Sequence, residues 1–124
     1  MPLHRVLIVD DNPLTLKLHV QLMESLGCDV RGENDGTAIE EIVRQFKPDI
    51  AFLDIRLAQE SGLDVARKIR PLMEEGRIFA LTAVPPDSIA DEARQAGFAA
   101  VLRKPCPIQT FIDILQHDRL PRQE

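Results

Sequence analysis

Short apolar runs, each ending in a polar or charged residue, alternate along this chain with stretches of helical periodicity. No other feature of the sequence constrains the fold as strongly. Arg5-Val6-Leu7-Ile8-Val9 is a near-continuous aliphatic run of the kind found in strands buried on both faces, and it stops at Asp10-Asp11. Asn12 then offers an N-cap, with Pro13 at the first helical position. Leucines follow every four residues at Leu14, Leu18, Leu22 and Leu26, which reads as a core-facing stripe closed by Gly27 at C′.

The alternation continues to the end of the chain. Cys28 to Arg31 reads as a short strand, Asn34-Asp35-Gly36 as a turn and Thr37 to Phe46 as a helix stopped by Pro48-Asp49. Ile50 to Leu53 is a second fully apolar strand, and it ends at Asp54. A helix over Ser61 to Arg70, a strand over Ile78 to Thr82 and a helix over Asp87 to Ala96 closed by Gly97 come next. A strand over Ala99 to Leu102 and a helix over Ile108 to Gln116 complete the series. Five strands alternating with five helices imply right-handed βαβ crossovers and one doubly wound α/β parallel sheet with helices on both faces. With 124 residues the chain suits one domain, expected over residues 1–118, with 119–124 as a short polar tail.

Composition narrows the function. The net charge is −5, and lysine and arginine are scattered rather than clustered, so direct nucleic-acid binding by this domain is not expected. No apolar run approaches the ~18–20 residues of a membrane span, and no signal peptide is evident at the start. Two cysteines, Cys28 and Cys106, are too few for a disulfide framework and read as inert, buried or half-buried thiols in a reduced, cytoplasmic protein. His4, His19 and His117 match no metal-ligand spacing and read as surface residues.

In an open parallel sheet, ligands bind at the carboxyl ends of the strands. Those ends carry Asp10-Asp11, Asp54, Thr82 and Lys104-Pro105. Carboxylates gathered in one place raise each other's pKa unless a cation intervenes. A hard divalent ion such as Mg²⁺ answers that need, because it prefers oxygen ligands. Lys104 adds a movable positive charge, and the set as a whole suits one phosphoryl group.

The combination of Asp10-Asp11, Asp54, Gly62, Thr82-Ala83 and Lys104-Pro105 resembles the receiver domain of two-component response regulators, the CheY-like superfamily. The resemblance runs from about Arg5 to Gln116. It implies the family's flavodoxin-like strand order, 2-1-3-4-5. It also implies that Asp54 accepts a phosphoryl group from a histidine kinase or histidine phosphotransfer protein. Asp10, Asp11, Asp54 and the backbone carbonyl of Arg56 would hold Mg²⁺, or Mn²⁺ in its place, and Thr82 and Lys104 would contact the phosphoryl oxygens. Lys104-Pro105 is expected to be cis, as in the family. Such a domain is a signalling switch that assists its own phosphorylation and dephosphorylation, not an enzyme with a separate substrate. An output partner is expected on the face of helix four, strand five and helix five, around Ala90, Arg94, Val101, Arg103 and Gln109, with the domain a monomer or weak dimer.

Departures from the family pattern bear on the switch. Val101 stands where many members carry Tyr or Phe, Ala58 where many carry Pro, and Val84-Pro85-Pro86 is a stiff start to helix four. Arg56 places a long cation beside the acceptor, where it would shield an acyl phosphate from water or pair with one of its oxygens and so alter the dephosphorylation rate. A Mg²⁺-dependent phosphohydrolase needs a second acid at the position of Arg56, and a nucleotide or flavin binder needs glycines where Asp10-Asp11 stand, so both readings fail. A phosphorylation-independent pseudo-receiver, acting as a protein-interaction module, remains the alternative.

Overall fold

The computed structural model describes residues 4–57, 60–83 and 85–117. The expectations for Ala58, Val84 and the tail over residues 119–124 fall outside them. Five parallel strands form one sheet in the order β2-β1-β3-β4-β5. They are β1 (Arg5–Val9), β2 (Asp29–Glu33), β3 (Ile50–Asp54), β4 (Arg77–Thr82) and β5 (Ala100–Arg103). The helices are α1 (Pro13–Ser25), α2 (Ile39–Phe46), α3 (Gly62–Ile69), α4 (Ala90–Ala96) and α5 (Ile108–His117).

Alternation along the strands divides the core into two layers. Leu7, Val9, Ala51, Leu53, Ile78 and Ala80 pack with Ile42, Val65, Ile69 and Ala93 of α2, α3 and α4. Val6, Ile8, Ile50, Phe52, Phe79 and Leu81 pack on the opposite face with Met23 of α1 and with Phe111, Ile114 and Leu115 of α5. Both faces being covered explains why β1, β3 and β4 read as unbroken apolar runs.

Local signals set the helix ends. The Asn12 side chain accepts from the Leu14 and Thr15 N–H groups at 3.0 and 3.1 Å, and Gly27 ends the turn after α1 at φ 90°. The leucine stripe is corrected by the structure. Met23 is the buried residue of α1, and Leu16 and Val20 pack beside it, whereas Leu14 and Leu18 are 67% and 56% exposed. An i, i+4 series advances about 40° around the helix at each step, so four leucines drift off any one face. The core stripe is the i, i+4, i+7 set of Leu16, Val20 and Met23 instead.

Other expectations shift as well, and His4 is half-buried rather than on the surface, its ring Nε2 lying 2.6 Å from the Leu115 carbonyl oxygen. The segment before α4 is a 3-10 turn at Pro86–Ser88, where the Ser88 N–H and hydroxyl both donate to the Pro85 carbonyl, and α4 begins only at Ala90. His19 is half-buried between α1 and α5 rather than on the surface, its ring centroid 5.3 Å from that of Phe111.

Candidate functional site

Strand register brings the strand ends together. Val9 pairs with Leu53, Asp54 with Leu81 and Thr82 with Arg103, so Asp10, Asp54, Thr82 and Lys104 converge at the carboxyl edge of the three central strands and β5. Asp10 is fully buried, Asp54 and Thr82 are nearly so, and Asp11 is exposed at the rim. Carboxylate oxygens of Asp10, Asp11 and Asp54 lie within 4.8 Å of one another.

Lys104 ties this cluster together. Its Nζ donates to Asp10 Oδ2 and to Asp54 Oδ2, each at 3.0 Å. The remaining oxygens are also engaged: Asp10 Oδ1 accepts from the Asn12 N–H at 2.9 Å and Asp54 Oδ1 from the Arg56 N–H at 3.1 Å. Lys104 itself is placed by its backbone N–H, which donates to the Thr82 carbonyl at 2.7 Å; the Lys104–Pro105 bond is cis. Burial pushes the Asp54 carboxyl above its ordinary range, against the pull of the Lys104 ammonium and the Arg56 N–H. Burial also opposes the Lys104 charge, but hydrogen bonds to Asp10 and Asp54 more than offset it and hold the ammonium protonated.

The loop after β3 is shaped around the acceptor position. Arg56 and Ser61 form an antiparallel bridge, and the Gly62 N–H donates to the Ile55 carbonyl at 2.8 Å. The Ser61 hydroxyl caps α3 by accepting from the Leu63 N–H. This closure fixes the Arg56 backbone beside Asp54 and leaves its side chain exposed. A shallow groove of about 460 Å³ lined by Arg44, Lys47, Pro48 and Met73 opens at the opposite edge of the sheet and touches none of these residues.

Three carboxylates balanced by one ammonium leave two negative charges on an all-oxygen donor set. That arrangement fits a hard divalent cation. All six residues singled out in the sequence lie in this one place. Two features were not foreseen: Asn12 orients Asp10 as well as capping α1, and Leu14 and Leu18, with Ile108 (58% exposed) at the start of α5, are apolar side chains left on the surface at the same end of the sheet. Charged Lys17 between the two leucines, and the competing stripe of Leu16, Val20 and Met23, were the available signals for the leucines.

The chain belongs to the response regulator receiver domain family, whose model matches residues 6–116. It is similar to the polar-differentiation response regulator DivK of Brucella anthropi, 31% identical over 113 residues that cover 90% of this chain and 92% of that protein. Among solved structures, a CheY-like response regulator receiver domain from Methylobacillus flagellatus superposes with a TM-score of 0.84 at 28% identity, covering 95% of this chain and all of the other. A response regulator protein from Burkholderia pseudomallei, solved with a phosphorylated aspartic acid, a calcium ion and citrate, shares the fold with a TM-score of 0.85 at 23% identity, covering 93% of this chain and 68% of that one. No helix among the described residues is long and apolar enough to cross a membrane.

Proposed function

We propose that the chain is a phosphoacceptor switch in which Asp54 takes a phosphoryl group from a phosphohistidine. The observation that carries this reading is the pair of 3.0 Å hydrogen bonds from Lys104 to Asp10 and Asp54. They hold a buried, ionised carboxylate at a strand end, beside a cation able to follow the charge onto a phosphoryl oxygen. A neighbour of the same fold carries a phosphorylated aspartic acid and a calcium ion, which supports the same use of this site.

In the transfer, an Asp54 oxygen attacks phosphorus while the P–N bond of the donor breaks. The bond's electron pair leaves with the donor imidazole, which takes up a proton. The product is an aspartyl phosphate. Lys104 exchanges its contact with Asp54 for a phosphoryl oxygen, and the Thr82 hydroxyl donates to another. Asp10, Asp11, Asp54 and the Arg56 carbonyl would hold Mg²⁺, or Mn²⁺ in its place, which when bound neutralises charge on the phosphoryl oxygens. Thr82 sits at the end of β4, so its new hydrogen bond draws on the segment leading to α4 and changes the face of α4, β5 and α5. Ala90, Arg94, Arg103 and Gln109 are exposed on that face and Val101 is half-buried.

The donor is a histidine kinase or a histidine phosphotransfer protein. To deliver its imidazole it must cover the rim of the site, where exposed Leu14, Leu18 and Ile108 offer apolar contacts. The test uses phosphoramidate, whose P–N bond mimics phosphohistidine, with Mg²⁺, followed by borohydride reduction and peptide mapping. Conversion of Asp54 to homoserine is the expected result. Conversion at another carboxylate would overturn the assignment.

A further inference from the structure

The α1–α5 seam holds a histidine that the proposed mechanism does not use. The His19 ring lies edge-on to Phe111, with centroids 5.3 Å apart and planes at 60°. Its Nδ1 is buried without a hydrogen-bond partner among the described residues. Phe111 in turn meets Phe52 edge-on at 5.1 Å, and Phe52 stacks on Phe79 at 5.6 Å. Phe52 and Asp54 share one face of β3 by alternation, so this aromatic series runs from His19 to the layer directly beneath the acceptor. Phe111 is also one turn into α5, whose start follows Lys104 after only three residues.

We propose that His19 is a positioning residue for phosphoryl transfer: its neutral ring clamps α5 to α1 and so holds Lys104 against Asp10 and Asp54, and protonation of that ring releases the clamp. The inference rests on the phosphoacceptor reading above. The seam suits a neutral imidazole, since an Nδ1–H there has no acceptor. Burial holds the His19 pKa below its ordinary value, with the Lys104 charge acting in the same direction and Asp10 against both. Those two are the charged groups that the imidazole feels across the seam. The Asp10 oxygens already serve Lys104 and the Asn12 N–H, so a second cation there competes with Lys104 for the same negative charge. An imidazolium must therefore turn out of the seam or draw Asp10 from Lys104. Either movement loosens the acceptor site, and the sequence alone gave no hint of it because His19 matches no motif.

The test compares wild type with His19→Leu, which keeps an apolar clamp that cannot titrate, and with His19→Phe, which also keeps the ring. Initial phosphorylation rates with phosphoramidate and Mg²⁺ are measured from about pH 7.5 to pH 5, each normalised to its own value at the upper end. The donor's own ionisation cancels in the ratio of wild type to variant. That ratio is expected to be flat above about pH 6.5 and to fall about threefold or more by pH 5. A flat ratio for both variants would overturn the proposal. A second readout needs no phosphorylation: in NMR titrations the Asn12 amide, which reports on Asp10, is expected to shift together with the His19 ring in acid. If wild type takes no phosphoryl group at about pH 7.5, the phosphoacceptor reading fails, and an Asn12 amide that ignores the His19 titration separately refutes the clamp.

Discussion

Gly62 lies so close behind Asp54 that a Cβ at position 62 would stand 2.2 Å from the Asp54 carbonyl oxygen. The obstruction is backbone, not a flexible side-chain tip, so the strand end must move to admit a methyl group. Gly62→Ala is therefore expected to cost about 2 kcal/mol or more in urea unfolding, outweighing the better helix propensity of alanine. A loss under about 0.5 kcal/mol would show that the loop after β3 yields easily.

Asp54 predicts an unusual response to neutralisation. Burial raises its carboxyl pKa in the folded state. A raised folded pKa means its stabilising contribution is complete below the ordinary carboxyl range and is lost as pH climbs through the folded pKa. At neutral pH in metal-free buffer, Asp54→Asn should therefore melt a few degrees above wild type. The gap should close as the solution is acidified through the folded Asp54 pKa. A variant that melts lower at neutral pH would mean that the Lys104 contact outweighs desolvation.

The two thiols should be sluggish. Burial pushes the Cys106 thiol up to about 11, with the Thr110 hydrogen bond acting weakly against it, and burial raises Cys28 as well. Alkylation of native protein at about pH 8 should lag well behind that of urea-unfolded protein, because the thiolate is the nucleophile. The same raised pKa stabilises the fold below the ordinary thiol range and is lost as pH rises through about 11. Cys106→Ala should remove that alkaline component of the unfolding profile.

Lys47 ends α2 in the left-handed region at φ 55°, where a side chain is strained and glycine is not. Lys47→Gly is expected to raise stability by about 0.5–1 kcal/mol. The position is at the opposite edge of the sheet from Asp54, so phosphorylation should be unchanged. A destabilised variant would mean that the strain is already relieved.

The sheet and the gathering of its strand-end residues were legible because one signal marks both. A strand buried on two faces must be apolar throughout, so its first polar residue announces the carboxyl end, as at Asp10, Asp54 and Thr82. Helix faces were less legible. Leu14 and Leu18 follow the i, i+4 spacing of a core stripe yet face outward, because spacing alone does not fix which turn meets the sheet. Gly32 of β2 does fix it: a Cβ there would lie 2.8 Å from Val20 and 3.1 Å from Leu16, so α1 presses its Leu16–Val20 side onto that strand. His19 was misread for a related reason, since its burial depends on Phe111, which is 92 residues away in the chain.

In the proposed switch, Asp54 accepts a phosphoryl group with the help of a divalent cation. Intact mass of the full chain after incubation with a small acyl-phosphate donor tests it most directly, with Mg²⁺ or chelator, for wild type and Asp54→Asn. One added phosphoryl group is expected on wild type with Mg²⁺, and none with chelator or in the variant. An adduct that persists in Asp54→Asn, or a wild type that binds Mg²⁺ yet gains no mass, would contradict it. The second of these results would favour a module that binds partners without phosphorylation.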